Sequence, residues 1–116
     1  MNNFNMGVSL KQGDIIICDF DPQSGHEQAG RRPAIVVSQQ SYNEVSTVTI
    51  VCPITNTSRN WAFFVELPRG MKTHGKVFTD QVKTLDLNAR NYKFIEAAPV
   101  EVIEQVMGIL ESIMFD

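Results

Sequence analysis

A mainly β fold with one C-terminal helix, arranged as a small antiparallel barrel, is what the sequence predicts. Three observations carry it. Apolar runs of four to eight residues recur between clusters of Gly, Pro, Asn and Asp, the signature of short strands joined by turns. Strands do not alternate with helical patterns, which argues against βαβ units. Helical periodicity is convincing only over Pro99–Phe115, where Val100, Ile103, Met107, Leu110 and Met114 form one stripe, with Glu101 away from it and Glu104 and Glu111 at its borders.

In chain order, Met1–Ser9 is polar and aperiodic, and residues 1–10 are expected to be a flexible segment preceding a single domain over 11–116. Lys11–Asp14 is a turn that launches the strand Ile15–Phe20. A long connection, Asp21–Arg32, leads to a second strand over Ala34–Ser38. Tyr42-Asn43 suits a helical turn, Thr47–Cys52 alternates as a half-buried strand, and Pro53 is expected to end it. Trp61–Leu67 reads as a strand, Pro68–Gly75 as a turn, Lys76–Leu85 as one or two strands, Asp86–Arg90 as a turn of helix, and Phe94–Ala97 as the last strand. Pro99 suits the first helical position and the early glutamates suit the positive end of the helix dipole.

Composition narrows the function classes. The chain has 116 residues, 43% hydrophobic and 20% charged, as expected of a single soluble globular domain. Met1–Gln12 has neither a cationic start nor an apolar core, so no signal peptide is expected, no run reaches the ~20 apolar residues of a membrane span, and the expected location is the cytoplasm. Cys18 and Cys52 sit in apolar runs without CxxC spacing, so they read as buried reduced thiols rather than metal ligands. Net charge is −3, but Glu96, Glu101, Glu104, Glu111 and Asp116 gather in a C-terminal stretch without Lys or Arg. Residues 1–95 keep ten basic against eight acidic side chains, which allows local phosphate binding but not a strong nonspecific coating of nucleic acid.

The richest chemistry lies in Gly25–Pro33. His26 titrates near neutrality, Glu27 and Gln28 offer acceptors and an amide, and Arg31 and Arg32 offer planar forks that fit phosphate oxygens. Pro33 biases Arg32 toward an extended conformation at the mouth of the next strand. The hydroxyl of Thr55 just past a strand and the pair Asp80-Gln81 inside an apolar stretch are further candidates, which a barrel rim would bring toward the loop. GxSxG, Walker and HExxH motifs are absent from the sequence.

Gly13-Asp14-Ile15, Asp19-Phe20-Asp21-Pro22, Gly25-His26-Glu27-Gln28-Ala29-Gly30-Arg31-Arg32-Pro33-Ala34, Pro53-Ile54-Thr55 and Asp80-Gln81-Val82-Lys83 closely resemble the MazF/PemK/Kid family of bacterial toxins. The resemblance runs from Lys11 to Asp116 in order and spacing. It implies an SH3-like antiparallel β-barrel of the CcdB/Kid/MazF type. It also implies a homodimer, a cognate antitoxin that folds against the toxin, and an antitoxin complex that binds operator DNA through the antitoxin. The implied activity is a sequence-specific, metal-independent endoribonuclease that needs no cofactor and cuts single-stranded RNA. By position, Arg32 and Thr55 fall on the family's catalytic arginine and threonine, His26, Glu27 and Gln28 on its active-site loop, and Asp80-Gln81 on a pair beside the RNA groove. Phe78 stands where the Kid branch has an arginine, so the role given to that arginine does not transfer.

RNA supplies its own nucleophile in the 2′-OH, and an arginine fork with a hydroxyl donor suffices to stabilise the phosphorane. Glu27 by charge and His26 by its neutral titration are both candidates for the general base. The competing reading is a barrel toxin that inhibits a protein such as DNA gyrase, as CcdB does, because a barrel alone does not decide function.

Overall fold

The computed structural model describes residues 7–20 and 30–115. Seven strands, β1 (Asp14–Phe20), β2 (Gly30–Val36), β3 (Thr49–Thr55), β4 (Phe64–Glu66), β5 (Lys76–Phe78), β6 (Lys83–Leu85) and β7 (Lys93–Ala97), are accompanied by the short helix α1 (Gln40–Val45) and the long helix α2 (Val100–Met114). Single 3-10 turns occupy Thr79–Gln81 and Leu87–Ala89. The strands pair antiparallel in the order β4-β5-β3-β2-β1-β7, with β6 also on β3. The sheet stays open, with β4 and β7 as its ends, so the barrel of the sequence reading describes it only loosely. Instead of a β4–β7 ladder, α2 covers the inner face, where Val102, Val106 and Leu110 meet Ile15, Ile35, Cys52, Ile54, Val65 and Val77.

A second core lies on the opposite face, where Ile16, Cys18, Phe20, Ala34, Val36, Val51 and Leu85 are covered by Val8, Leu10 and Leu87. The central strands are thus buried on both sides, which is why Ile15–Cys18 is continuously apolar instead of alternating. Val8 and Leu10 fall within the stretch that the sequence reading assigned to the flexible start, yet both are buried here.

The buried stripe of α2 is not the one expected. Val102, Val106 and Leu110 are buried and Ile103, Met107 and Ile109 partly so, while Val100 and Met114 are 59% and 60% exposed. The helix is apolar over more than one stripe, and its entry fixes which one faces inward. Pro99 is its N-cap, not its first residue, and the Ala98 amide donates to Gly13 O at 2.9 Å. Ile103 then lies over Gly13, where a Cβ would come within 2.2 Å of Ile103 Cδ1.

Pro53 does not end its strand. β3 continues to Thr55 because it has two successive partners on one side, β6 opposite Thr49–Val51 and β5 opposite Ile54 and Thr55. Between them the chain detours through Thr79–Gln81. The Val37 amide donates to Ile50 O, so alternate pairs along β2 and β3 exchange hydrogen bonds and the Ala34/Pro53 pair does not. The nitrogen of Pro53 therefore faces the break between β6 and β5, where its missing N–H costs no ladder bond.

Candidate active site

The β2–β3 ladder stops at Ala34/Pro53, because the next exchange would need the N–H that Pro33 lacks. Carried two residues further, its register sets Arg32 opposite Thr55. Thr55 in turn pairs with Lys76, and Lys76 with Glu66. Directly opposed residues share a face, so Arg32, Thr55, Lys76 and Glu66 form one polar row across β2, β3, β5 and β4. The row lies on the same face as the second core, past the end of its apolar cover.

Thr55 is the chemically unusual member. Its Oγ1 is buried and has no hydrogen-bond partner among the described residues. A buried hydroxyl left unpaired costs about 1–3 kcal/mol, so one at a strand end marks a donor kept for something other than folding. Gly75 presses β5 against this point: at φ +122, a Cβ there would come within 2.7 Å of Thr55 O. Strand alternation separates the two arginines. Arg31 faces away and is occupied, its Nη1 donating to Asp19 Oδ1 at 3.0 Å and to Asn91 O at 2.9 Å. Only Arg32 points along the Thr55 row.

Asp80 sits beside the row on the 3-10 turn and accepts a 2.9 Å hydrogen bond from Trp61 Nε1. Gln81 follows it on the same turn, half-buried. Phe78 is buried and stacks on Phe64, with centroids 4.0 Å apart and planes 5° from parallel, so it forms floor beneath the site. His26, Glu27 and Gln28 lie outside the described residues.

The structure brings Lys76, Glu66 and Trp61 into the site, none of which the sequence reading singled out. The signal for Lys76 was its place in the alternation Lys76-Val77-Phe78, which sets it on the face opposite the buried Val77. Burial pushes the Cys18 thiol up to about 11, Arg90 opposing, and the Cys52 thiol up to about 12, with Asp80 adding to the rise. Both stay protonated and inert at neutral pH. Among the described residues no three His, Cys, Asp or Glu side chains cluster to hold a metal.

A small open antiparallel sheet covered by a C-terminal helix, with an arginine across from a threonine hydroxyl that has no partner among the described residues, defines the class of compact protein. Residues 11–114 match the family of the PemK-like, MazF-like toxin of type II toxin-antitoxin system, and the chain belongs to that family. It is 36% identical over 109 residues to endoribonuclease PemK of Escherichia coli, covering 90% of this chain and 82% of that one. It is 41% identical over 110 residues to endoribonuclease toxin ChpB of Escherichia coli K12, covering 90% and 94%. The crystal structure of MazF from Deinococcus radiodurans superposes with a TM-score of 0.86 at 36% identity, covering 92% of this chain and 97% of that one. A MazE-MazF structure from the same organism gives 0.82 at 36%, covering 92% and 96%.

Proposed function

We propose that this protein is an endoribonuclease toxin that cuts single-stranded RNA by attack of a 2′-OH on the adjacent phosphate, and that a cognate antitoxin holds it inactive. The observation that carries the reading is the buried Thr55 Oγ1, with no partner among the described residues, opposite the position of Arg32 when the β2–β3 register is continued. Membership of the toxin family and likeness to proteins named endoribonucleases support it.

The chemistry needs no cofactor in this reading. The guanidinium of Arg32 takes two nonbridging oxygens as a fork, and Thr55 Oγ1 donates to one of them as charge builds on phosphorus. The attacking 2′-oxygen loses its proton to a base, for which His26 and Glu27 are the candidates, and the 5′-oxygen leaves with a proton. The products are a 2′,3′-cyclic phosphate and a 5′-OH. Duplex RNA fits less well than a single strand, since bases are read once they are splayed.

Two protein partners belong to the same reading. An antitoxin segment occupying the Arg32–Thr55 row would block RNA directly, and likeness to the MazE-MazF structure supports such a partner. A second copy of the chain is supported by an apolar groove of about 630 Å³, whose lining includes Val37, Ile50, Val82, Met107, Met114 and Phe115.

The test is incubation of the protein with end-labelled single-stranded RNA in excess EDTA. Discrete cuts ending in cyclic phosphate are expected, lost in Arg32→Ala. Intact RNA, or cutting that returns only with added magnesium, would overturn this mechanism.

A further inference from the structure

Next to the catalytic row, Trp61 is placed in a way that core packing does not explain. It remains 48% exposed, yet its ring is fixed at two points. Nε1 donates to Asp80 Oδ2 at 2.9 Å, and the indole meets Phe63 edge-on, with centroids 5.3 Å apart and planes at 71°. The polar handle is thereby satisfied while part of the ring surface is left to solvent. An exposed, oriented indole is what stacking on an unpaired base requires.

The surroundings favour a nucleotide. Trp61 lines a cavity of about 360 Å³ together with Asn60, Ala62, Phe64, Glu66 and Lys76. Lys76 and Glu66 are the third and fourth members of the row that begins with Arg32 and Thr55. With strands about 4.8 Å apart, the cavity opens on the order of 10 Å from Thr55, within reach of the nucleotide beside the cut. Lys76 Nζ donates to Arg59 O at 2.6 Å and Asn60 Oδ1 at 3.3 Å, which leaves the third of its donors for a phosphate oxygen. Arg59 lies over the Phe64 ring at 5.5 Å from its centroid, which adds a second cation to this wall. Glu66 and Asp80 offset much of that charge, so affinity here rests on stacking more than on electrostatic attraction.

Resting on the ribonuclease reading above, we propose that Trp61 is the stacking platform for one base flanking the scissile phosphate, that Asp80 is its positioning residue, and that Lys76 takes the phosphate belonging to that base.

The test uses an RNA oligonucleotide that the wild type cuts once, a matched oligonucleotide made uncleavable by 2′-deoxy substitution at the cut, and versions of both with a single abasic nucleotide at each flanking position. Trp61→Ala should raise KM and weaken binding of the uncleavable strand by roughly 10- to 100-fold, with kcat nearly unchanged, and Trp61→Phe should restore most of the loss. One abasic position should impose the same loss on the wild type and none on Trp61→Ala. Asp80→Ala should resemble a milder Trp61→Ala, and Asp80→Asn, which keeps an oxygen acceptor for the indole, should bind the uncleavable strand more tightly than Asp80→Ala. Unchanged binding in Trp61→Ala, or abasic losses that multiply with it at every position, would overturn the platform. A wild type that binds the strand tightly but does not cut it would defeat the ribonuclease reading instead, leaving the platform to be judged by the binding arm. A wild type that does neither would defeat both.

Discussion

One face of the sheet has two ends that share β2 and β3 and are finished in opposite ways. At one end Ile16, Ala34, Val36, Val51 and Leu85 are sealed by Val8, Leu10 and Leu87. At the other, Arg32, Thr55, Lys76 and Glu66 continue the same alternation as a polar row. The period of two is unbroken between them, so secondary structure does not distinguish core from site. What differs is whether an apolar segment covers the face and whether a buried hydroxyl is left without a partner among the described residues. The sealed end stabilises the fold by apolar burial, whereas at Thr55 a buried hydroxyl with no partner among the described residues lowers stability.

The comparison breaks most sharply at Arg32. Arg32→Ala should reduce RNA cleavage on the order of 10³-fold, and Arg32→Lys nearly as much, because a lysine keeps the charge but loses the fork. Cleavage rates beside circular dichroism melts would show activity lost and the fold retained. Arg32→Lys at near wild-type rate would mean that charge alone is needed there.

Thr55 sharpens the contrast, since activity and stability should move in opposite directions. Thr55→Val removes the unpaired hydroxyl at nearly constant volume, so cleavage should fall about 10²- to 10³-fold while stability holds or rises by about 1 kcal/mol. Thr55→Ser should keep more activity than Thr55→Val. Urea midpoints with initial rates on one substrate make the check, and a clear loss of stability in Thr55→Val would show that the hydroxyl serves the fold.

At the sealed end the pattern should reverse. Leu85→Ala opens a cavity in the second core and should cost about 2–5 kcal/mol, with the rate per folded molecule unchanged. Denaturant titration and active-site-normalised kinetics would separate the two quantities.

The smallest effect is expected at Glu96 on β7, which lies outside both ends. Burial raises its pKa, but hydrogen bonds from Thr73 Oγ1 and the amides of Lys72 and Thr73, helped by the Lys72 charge, outweigh that and hold the carboxyl below 4.5. A lowered folded-state pKa stabilises above about pH 4.5, and that contribution is lost as pH falls through the folded value. Glu96→Gln should therefore be slightly less stable than wild type at pH 7, and the gap should close at an acid pH below the lowered folded-state value. Unfolding midpoints for both proteins at the two pH values measure it.

Much of this was legible in the residues. Arg32 was visible because Pro33 fixes its backbone at a strand mouth, and Thr55 because the Pro53-Ile54-Thr55 step matched a family motif. Its pairing with Lys76 was not visible, because a strand continuing through Pro53 depends on where β5 and β6 part, which is a long-range fact. The stripe of α2 differs from the expected one for the same kind of reason: its periodicity allows more than one inward face, and which one is buried depends on long-range packing such as that of Ile103 over Gly13. Trp61 carried no local signal at all. Its significance comes from Asp80, nineteen positions along the chain.

Trp61 is also the single tryptophan of the chain. The tryptophan fluorescence of the whole protein consequently originates at one rim of the candidate site, from an indole whose donor is held by one carboxylate. Its emission maximum and its quenching by added solutes report on that rim, unobscured by any other indole. An unlabelled sample can thus be titrated with an oligonucleotide or an antitoxin peptide and followed optically, and a stopped-flow trace would time the arrival of either.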